Sequence, residues 1–192
     1  MGVEFEVKFQ APQESQAALA QLFPGPWETI SMQTTYYDTP DRILGSRKMT
    51  LRHRLENGEA VCTVKTPERD GARGEWDCRC DDINGALPEL CKLGGPDILL
   101  SLGDRLEEVC AARFTRRATM IVTDEFTAEL ALDSGALLGG GREAALCEVE
   151  LELKDGDKDA MILYAKVLAN RFGLIPQPKS KYRRALDLAQ GK

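Results

Sequence analysis

Cys147-Glu148-Val149-Glu150-Leu151-Glu152-Leu153-Lys154 alternates carboxylates with apolar side chains, and this stretch decides the reading of the chain. A period of two is that of a strand. Residues i and i+2 share a face roughly 6.5 to 7 Å apart, so Glu148, Glu150 and Glu152 form one acidic row above a greasy face. The N-terminus repeats the pattern with Glu4, Glu6 and Lys8 set between Phe5, Val7 and Phe9. In Leu51-Arg52-His53-Arg54-Leu55 the sign reverses, and Lys65 ends Val61-Cys62-Thr63-Val64-Lys65 in the same placement. Solvated sheet faces favour opposite-charge neighbours, whereas here the signs are sorted by strand. Acidic rows suit divalent cations and basic rows suit an anion, so the sorting predicts a metal-bound polyphosphate as ligand. Carboxylates in such rows should also repel one another, which predicts that Glu150→Gln leaves the empty protein at least as stable as before.

The chain of 192 residues is sized for one domain, 1–192, and its 43% hydrophobic and 29% charged content is that of a globular protein. A net charge of -6 argues against a basic-patch nucleic-acid binder but leaves room for a small anion in a cleft. Met1-Gly2-Val3-Glu4 lacks the features of a signal peptide and no apolar run is long enough to span a membrane, so a cytoplasmic protein with no membrane partner is expected. Six cysteines without C-x-x-C spacing, and His53 as the single histidine, read as reduced thiols rather than a zinc site.

Outward from the charged strands, residues 12–23 read as a helix stopped by Pro24-Gly25-Pro26, and residues 27–37 as a strand. Residues 47–56 and 59–66 form a hairpin about Asn57-Gly58, and residues 73–81 a further strand with Trp76, Cys78 and Cys80 on its greasy face. Helices are predicted over 88–93 and 97–110, then strands over 111–123 and 125–134. The first of these strands aligns Arg113, Thr115 and Arg117; the second aligns Glu129, Ala131 and Asp133. After Gly139-Gly140-Gly141 comes the acidic strand, then a helix capped by Asp157 and closed by Gly173, then Lys179, Lys181 and a short terminal helix. About eight strands with short links give an antiparallel barrel or strongly curved sheet. Its charged face could be a solvated exterior or an enclosed lumen; the sorting of sign favours the lumen, with the helices packed outside.

Together Glu4-x-Glu6-x-Lys8, Tyr36-Tyr37-Asp38-Thr39, Leu51-Arg52-x-Arg54, Thr63-x-Lys65, Arg73-x-Glu75, Leu132-Asp133, Glu148-x-Glu150-x-Glu152 and Lys179-Ser180-Lys181-Tyr182 resemble, in order, the CYTH domain of the triphosphate tunnel metalloenzymes. The resemblance implies an α+β fold built on an eight-stranded antiparallel tunnel with a charged lumen. It implies that Glu4, Glu6, Asp133, Glu148, Glu150 and Glu152 hold Mg²⁺ or Mn²⁺. Lys8, Arg52, Arg54, Lys65, Arg117 and Lys181 would bind the triphosphate, with Lys8, Glu148 and Glu150 closest to the chemistry. Glu4 and Glu6 would serve a substrate-orienting metal, and Glu148 and Glu150 a water-activating one. Within that family the pattern is most similar to bacterial inorganic triphosphatases. Aromatic content of 6%, with Met49 and Thr50 beside the basic strand, favours bare triphosphate over a substrate whose base must stack. Thiamine or nucleoside triphosphate hydrolysis, class IV-type adenylate cyclisation and non-catalytic polyphosphate binding are the alternatives.

Overall fold

The computed structural model describes residues 5–67 and 74–192. Among the described residues nine strands form one antiparallel sheet: β1 (Phe5–Gln10), β2 (Glu28–Asp38), β3 (Thr50–Glu56), β4 (Glu59–Lys65), β5 (Glu75–Arg79), β6 (Glu107–Val122), β7 (Phe126–Gly139), β8 (Arg142–Gly156) and β9 (Ile175–Pro176). Their order is β5-β4-β3-β2-β6-β7-β8-β1-β9. Hairpin chemistry sets much of it. Asn57 and Gly58 carry φ of 50° and 92°, the left-handed pair that a two-residue turn needs between β3 and β4. The expectation of eight strands in a closed tunnel is therefore corrected: among the described residues the edge strands β5 and β9 do not pair, and the sheet curves without closing. Two-residue β9 ends in Pro176, which has no N–H to extend the ladder.

Helices α1 (Gln13–Leu22), α3 (Ile83–Lys92) and α4 (Lys158–Phe172) cover the convex face. Under α1 and α4, Phe9, Leu130, Leu132, Val149 and Leu151 pack with Leu19, Met161 and Leu168. Under α3, Leu51, Cys62 and Val64 pack with Ala86, Leu87 and Leu90. The short helix α2 (Ile43–Ser46) was not foreseen; the fully buried Asp38 carboxylate accepts from the backbone N–H groups of Thr39, Leu44 and Gly45 and so builds it. Asp157 caps α4 by accepting from Ala160 N, and Gly173 at φ 64° ends it, as predicted.

The concave face departs from an all-charged lumen. Helix α5 (Lys181–Ala189) enters one end, where Tyr182, Ala185 and Leu186 pack against Met32, Phe114, Leu137 and Leu146. Gly139 and Gly140 permit this approach: a Cβ on Gly139 would stand 2.4 Å from Ala185 O, and one on Gly140 2.7 Å from Ala189 O. One end of the trough is thus plugged by a helix, not lined by charge. The predicted helix over 97–110 is replaced by two 3-10 turns, Asp97–Ser101 and Gly103–Arg105, after which Glu107 already pairs with Asp38 in β2. Gly103 at φ 37° interrupts the helical path. Glu4 and Arg73 lie outside the described residues.

Candidate active site

Register brings the charged rows together. Gln10, Glu148, Asp133 and Arg116 align across β1, β8, β7 and β6; Lys8 and Glu150 align in the next row, and Glu6, Glu152 and Glu129 in the third. On the other flank Arg52 pairs with Tyr36, Arg54 with Thr34, and Lys65 with Glu75. The flanks face each other across a cavity of about 220 Å³, lined by Lys8, Arg52, Arg54, Lys65, Arg116 and Lys181 together with Glu6, Glu75, Glu150 and Glu152. Six cations against four carboxylates make the lining positive in a chain of net charge -6. Tyr36 and Tyr182, with ring centroids 5.1 Å apart, wall the end nearest α5.

Lys181 is the hub of the deep end. Its ammonium lies 2.8 Å from Asp133 Oδ2, 2.6 Å from Glu148 Oε2 and 2.6 Å from Glu150 Oε1. Arg116 grips Asp133 with Nε and Nη2, each at 2.8 Å, and also donates to Glu150. Arg184 donates to Glu148 Oε1. Asp133 and Glu148 are wholly buried and Glu150 is 7% exposed. Burial pushes the Glu150 carboxyl up, but Lys181 and Arg116 overcome it and hold the group at about 2. Burial likewise lowers Lys181, and the three carboxylates more than reverse it. The expected repulsion among carboxylates is therefore overturned for this cluster: three anions meet three cations from other elements. At the shallower end Lys8 donates to Glu6 Oε1 at 2.7 Å, and Lys154 reaches Glu152 at the same distance.

Arg52 and Arg54 both reach the cavity. Burial, then the neighbouring Arg52, pulls the Arg54 guanidinium below its ordinary value, and Thr34 Oγ1 accepts from its Nε at 2.9 Å. Lys65 sits 2.6 Å from Glu75 Oε2, and Arg52 3.7 Å from Glu75 Oε1, so Glu75 belongs to the cavity. His53 faces the convex side, opposite Thr35 and Cys62. Arg117 is the misplaced residue. It is exposed, with its guanidinium 4.9 Å over the Trp27 ring, while its neighbour Arg116 enters the trough. The polar alternation Arg113, Thr115, Arg117 marks the convex face of β6; the concave face carries Ala112, Phe114 and Arg116, apolar except at one position because α5 covers it. Arg184 was also missed, although it stands three residues from Lys181 on the predicted terminal helix, a spacing that shares a face.

One oxygen from each of Asp133, Glu148 and Glu150 lies within 4.8 Å of the others, hard donors of the kind Mg²⁺ or Mn²⁺ takes, but the Lys181 ammonium stands among them at 2.6 to 2.8 Å. Of these three, Glu150 alone lines the cavity, and Glu6 and Glu152 join it there. The donor chemistry fits a divalent cation.

A concave antiparallel trough with sorted charge, entered by a C-terminal helix, defines the class, and residues 2–186 match the CYTH domain. The chain belongs to that family. It is 27% identical over 144 residues to the inorganic triphosphatase of Haemophilus influenzae, an alignment taking in 73% of this chain and 41% of that relative, so it spans less than half of the curated protein it matches. In fold it is similar to a Hippeastrum protein named for adenylyl cyclase and described as having a dominant triphosphatase activity, with a TM-score of 0.69, 19% identity, and 98% and 96% of the two chains covered. A protein of Pyrococcus horikoshii OT3 gives a TM-score of 0.63 at 22% identity, covering 96% and 99%. Among the described residues no helix is long and apolar enough to cross a membrane.

Proposed function

We propose that the chain hydrolyses inorganic triphosphate to pyrophosphate and phosphate with a divalent cation, Mg²⁺ or Mn²⁺. The observation that carries this is the cavity lining: a net positive trough in an acidic protein, with carboxylates kept among the cations. Binding an anion alone needs no carboxylates in the lining; their presence supports a metal between them and the phosphates. Glu6, Glu150 and Glu152 would hold it, and when bound it would screen phosphate oxygens and lower the pKa of a water. Arg52 and Arg54 offer planar donor forks to phosphate oxygens, Lys65 and Lys181 add point charges around them, and Arg116, its fork held on Asp133, adds positive charge at the deep end. These groups neutralise the charge that otherwise repels water from the terminal phosphorus. Lys8, beside Glu6 and opposite Glu150, is suited to orient the terminal phosphate.

The size of the cavity favours bare triphosphate. About 220 Å³ is below the roughly 300–1,000 Å³ of sites for drug-sized ligands, which nucleotides resemble in bulk. Similarity to an inorganic triphosphatase supports the same choice. The test is kcat/KM for triphosphate, ATP, thiamine triphosphate and long-chain polyphosphate, each with Mg²⁺ and with Mn²⁺. Triphosphate should lead by at least about tenfold, the factor that 1.4 kcal/mol of differential transition-state binding gives. Cyclisation of ATP, or tight binding of every substrate without phosphate release, would overturn the reading.

A further inference from the structure

We infer that Glu148 is the docking receptor for α5 rather than a metal ligand, and that Arg184 is a positioning residue which acts through it to set Lys181 against the cavity. This rests on the proposed triphosphate site and assigns its deep end. Glu148 shares a strand face with Glu150 and Glu152, yet both of those line the cavity and Glu148 does not. It is wholly buried, and both of its oxygens face cations of α5: Oε1 accepts from Arg184, and Oε2 lies 2.6 Å from the Lys181 ammonium in an ion pair without hydrogen-bond geometry. These cations stand at i and i+3 on one helix face, whereas Arg183 between them turns outward to Asp187 Oδ1 at 2.9 Å.

Charge balance gives the same answer. Asp133, Glu148 and Glu150 are matched by Arg116, Lys181 and Arg184. A divalent cation placed on Glu148 would strand one of the α5 cations in a buried site, which is costly. The two ends of α5 are held differently. Its far end is seated backbone to backbone on Gly139 and Gly140, and its near end is held by the two ion pairs to Glu148. Lys181 is the first residue of that helix and its ammonium must satisfy Glu148 and Glu150 at once. Without Arg184, Glu148 would have Lys181 as its single remaining cation, and Lys181 would be drawn away from Glu150 and from the phosphate position.

The test pairs Mn²⁺ affinity, read by electron paramagnetic resonance without substrate, with triphosphate affinity in excess chelator, read by calorimetry. Glu148→Gln should keep Mn²⁺ affinity within about twofold, while Glu150→Gln should lower it by about 10- to 100-fold. Arg184→Gln should leave Mn²⁺ affinity unchanged, weaken triphosphate binding by about tenfold and raise KM more than it lowers kcat; Arg184→Lys should restore most of both. Equal loss of Mn²⁺ in the two glutamate variants would make Glu148 a ligand and overturn the inference. So would an Arg184→Gln protein that melts lower with triphosphate affinity intact. If wild type binds Mn²⁺ and triphosphate but releases no phosphate, the proposed hydrolysis fails while these affinities still decide the role of Glu148.

Discussion

Arg116 and Arg117 are adjacent, chemically identical and placed on opposite faces of β6, so substituting each in turn tests the register of the whole site. Arg116 makes two 2.8 Å hydrogen bonds to a carboxylate that is 0% exposed, and a third contact to Glu150. Arg116→Met keeps the aliphatic stem but leaves three buried carboxylates to share Lys181 and Arg184. Breaking a buried ion pair from one side costs about 3–5 kcal/mol. With a urea slope of about 2 kcal/mol/M, that moves the unfolding midpoint down by about 1.5–2.5 M. Arg117→Met removes an exposed cation–π contact worth about 0.5–1 kcal/mol and should move the midpoint by less than about 0.5 M. Urea titrations at pH 7 in metal-free buffer, followed by tryptophan fluorescence, read both. A larger loss from Arg117→Met, or equal small losses, would mean that β6 presents its other face to the trough and that the network around Asp133 is misassigned.

Acid should weaken the protein in a defined window. Glu150 is held at about 2 against an ordinary 4.5, so its contribution is complete above about 4.5 and is lost as pH falls toward 2; the difference corresponds to about 3 kcal/mol at neutral pH, and unfolding free energies from pH 6 to pH 2.5 should show it in wild type but not in Glu150→Gln. That same variant should melt below wild type at pH 7, contrary to the repulsion expected from the sequence, because Lys181 and Arg116 lose a partner. Arg54→Ala should cost about 2–4 kcal/mol in kcat/KM for triphosphate while His53→Ala changes it less than about fivefold; the reverse ranking in steady-state kinetics would invert β3. Gly139→Ala forces a Cβ to within 2.4 Å of Ala185 O and should destabilise by about 1–3 kcal/mol, read as a drop in Tm of about 2–4 °C per kcal/mol; an unchanged Tm would mean that α5 is not seated there.

Most strands were legible because each has one greasy and one charged face, and alternation at period two survives wherever a strand separates a core from water or ions. Asn57-Gly58 fixed the β3–β4 hairpin, and Asp157 with Gly173 framed α4, because turn and cap chemistry is local. The face of β6 was not legible. Where α5 covers the trough, the concave positions turn apolar, and the remaining polar alternation belongs to the outer surface. The plug was not legible either: an amphipathic C-terminal segment reads alike whether it lies outside a barrel or fills one end. Lys181 was found from its motif, but Arg116 and Arg184 emerge only when carboxylates of β7 and β8 are matched against cations from β6 and α5, pairs 17 to 36 residues apart in sequence. Glu75, to which the motif Arg73-x-Glu75 attached no role, lies in the cavity against Lys65 and Arg52.

The central claim is tested most directly by phosphorus NMR of inorganic triphosphate incubated with the purified chain, first with Mg²⁺ or Mn²⁺ and then in excess chelator. The account predicts that the triphosphate resonances give way to pyrophosphate and phosphate in equal amounts with metal, and that they persist in chelator. Undiminished hydrolysis in chelator, or intact triphosphate with every metal tried, would contradict it.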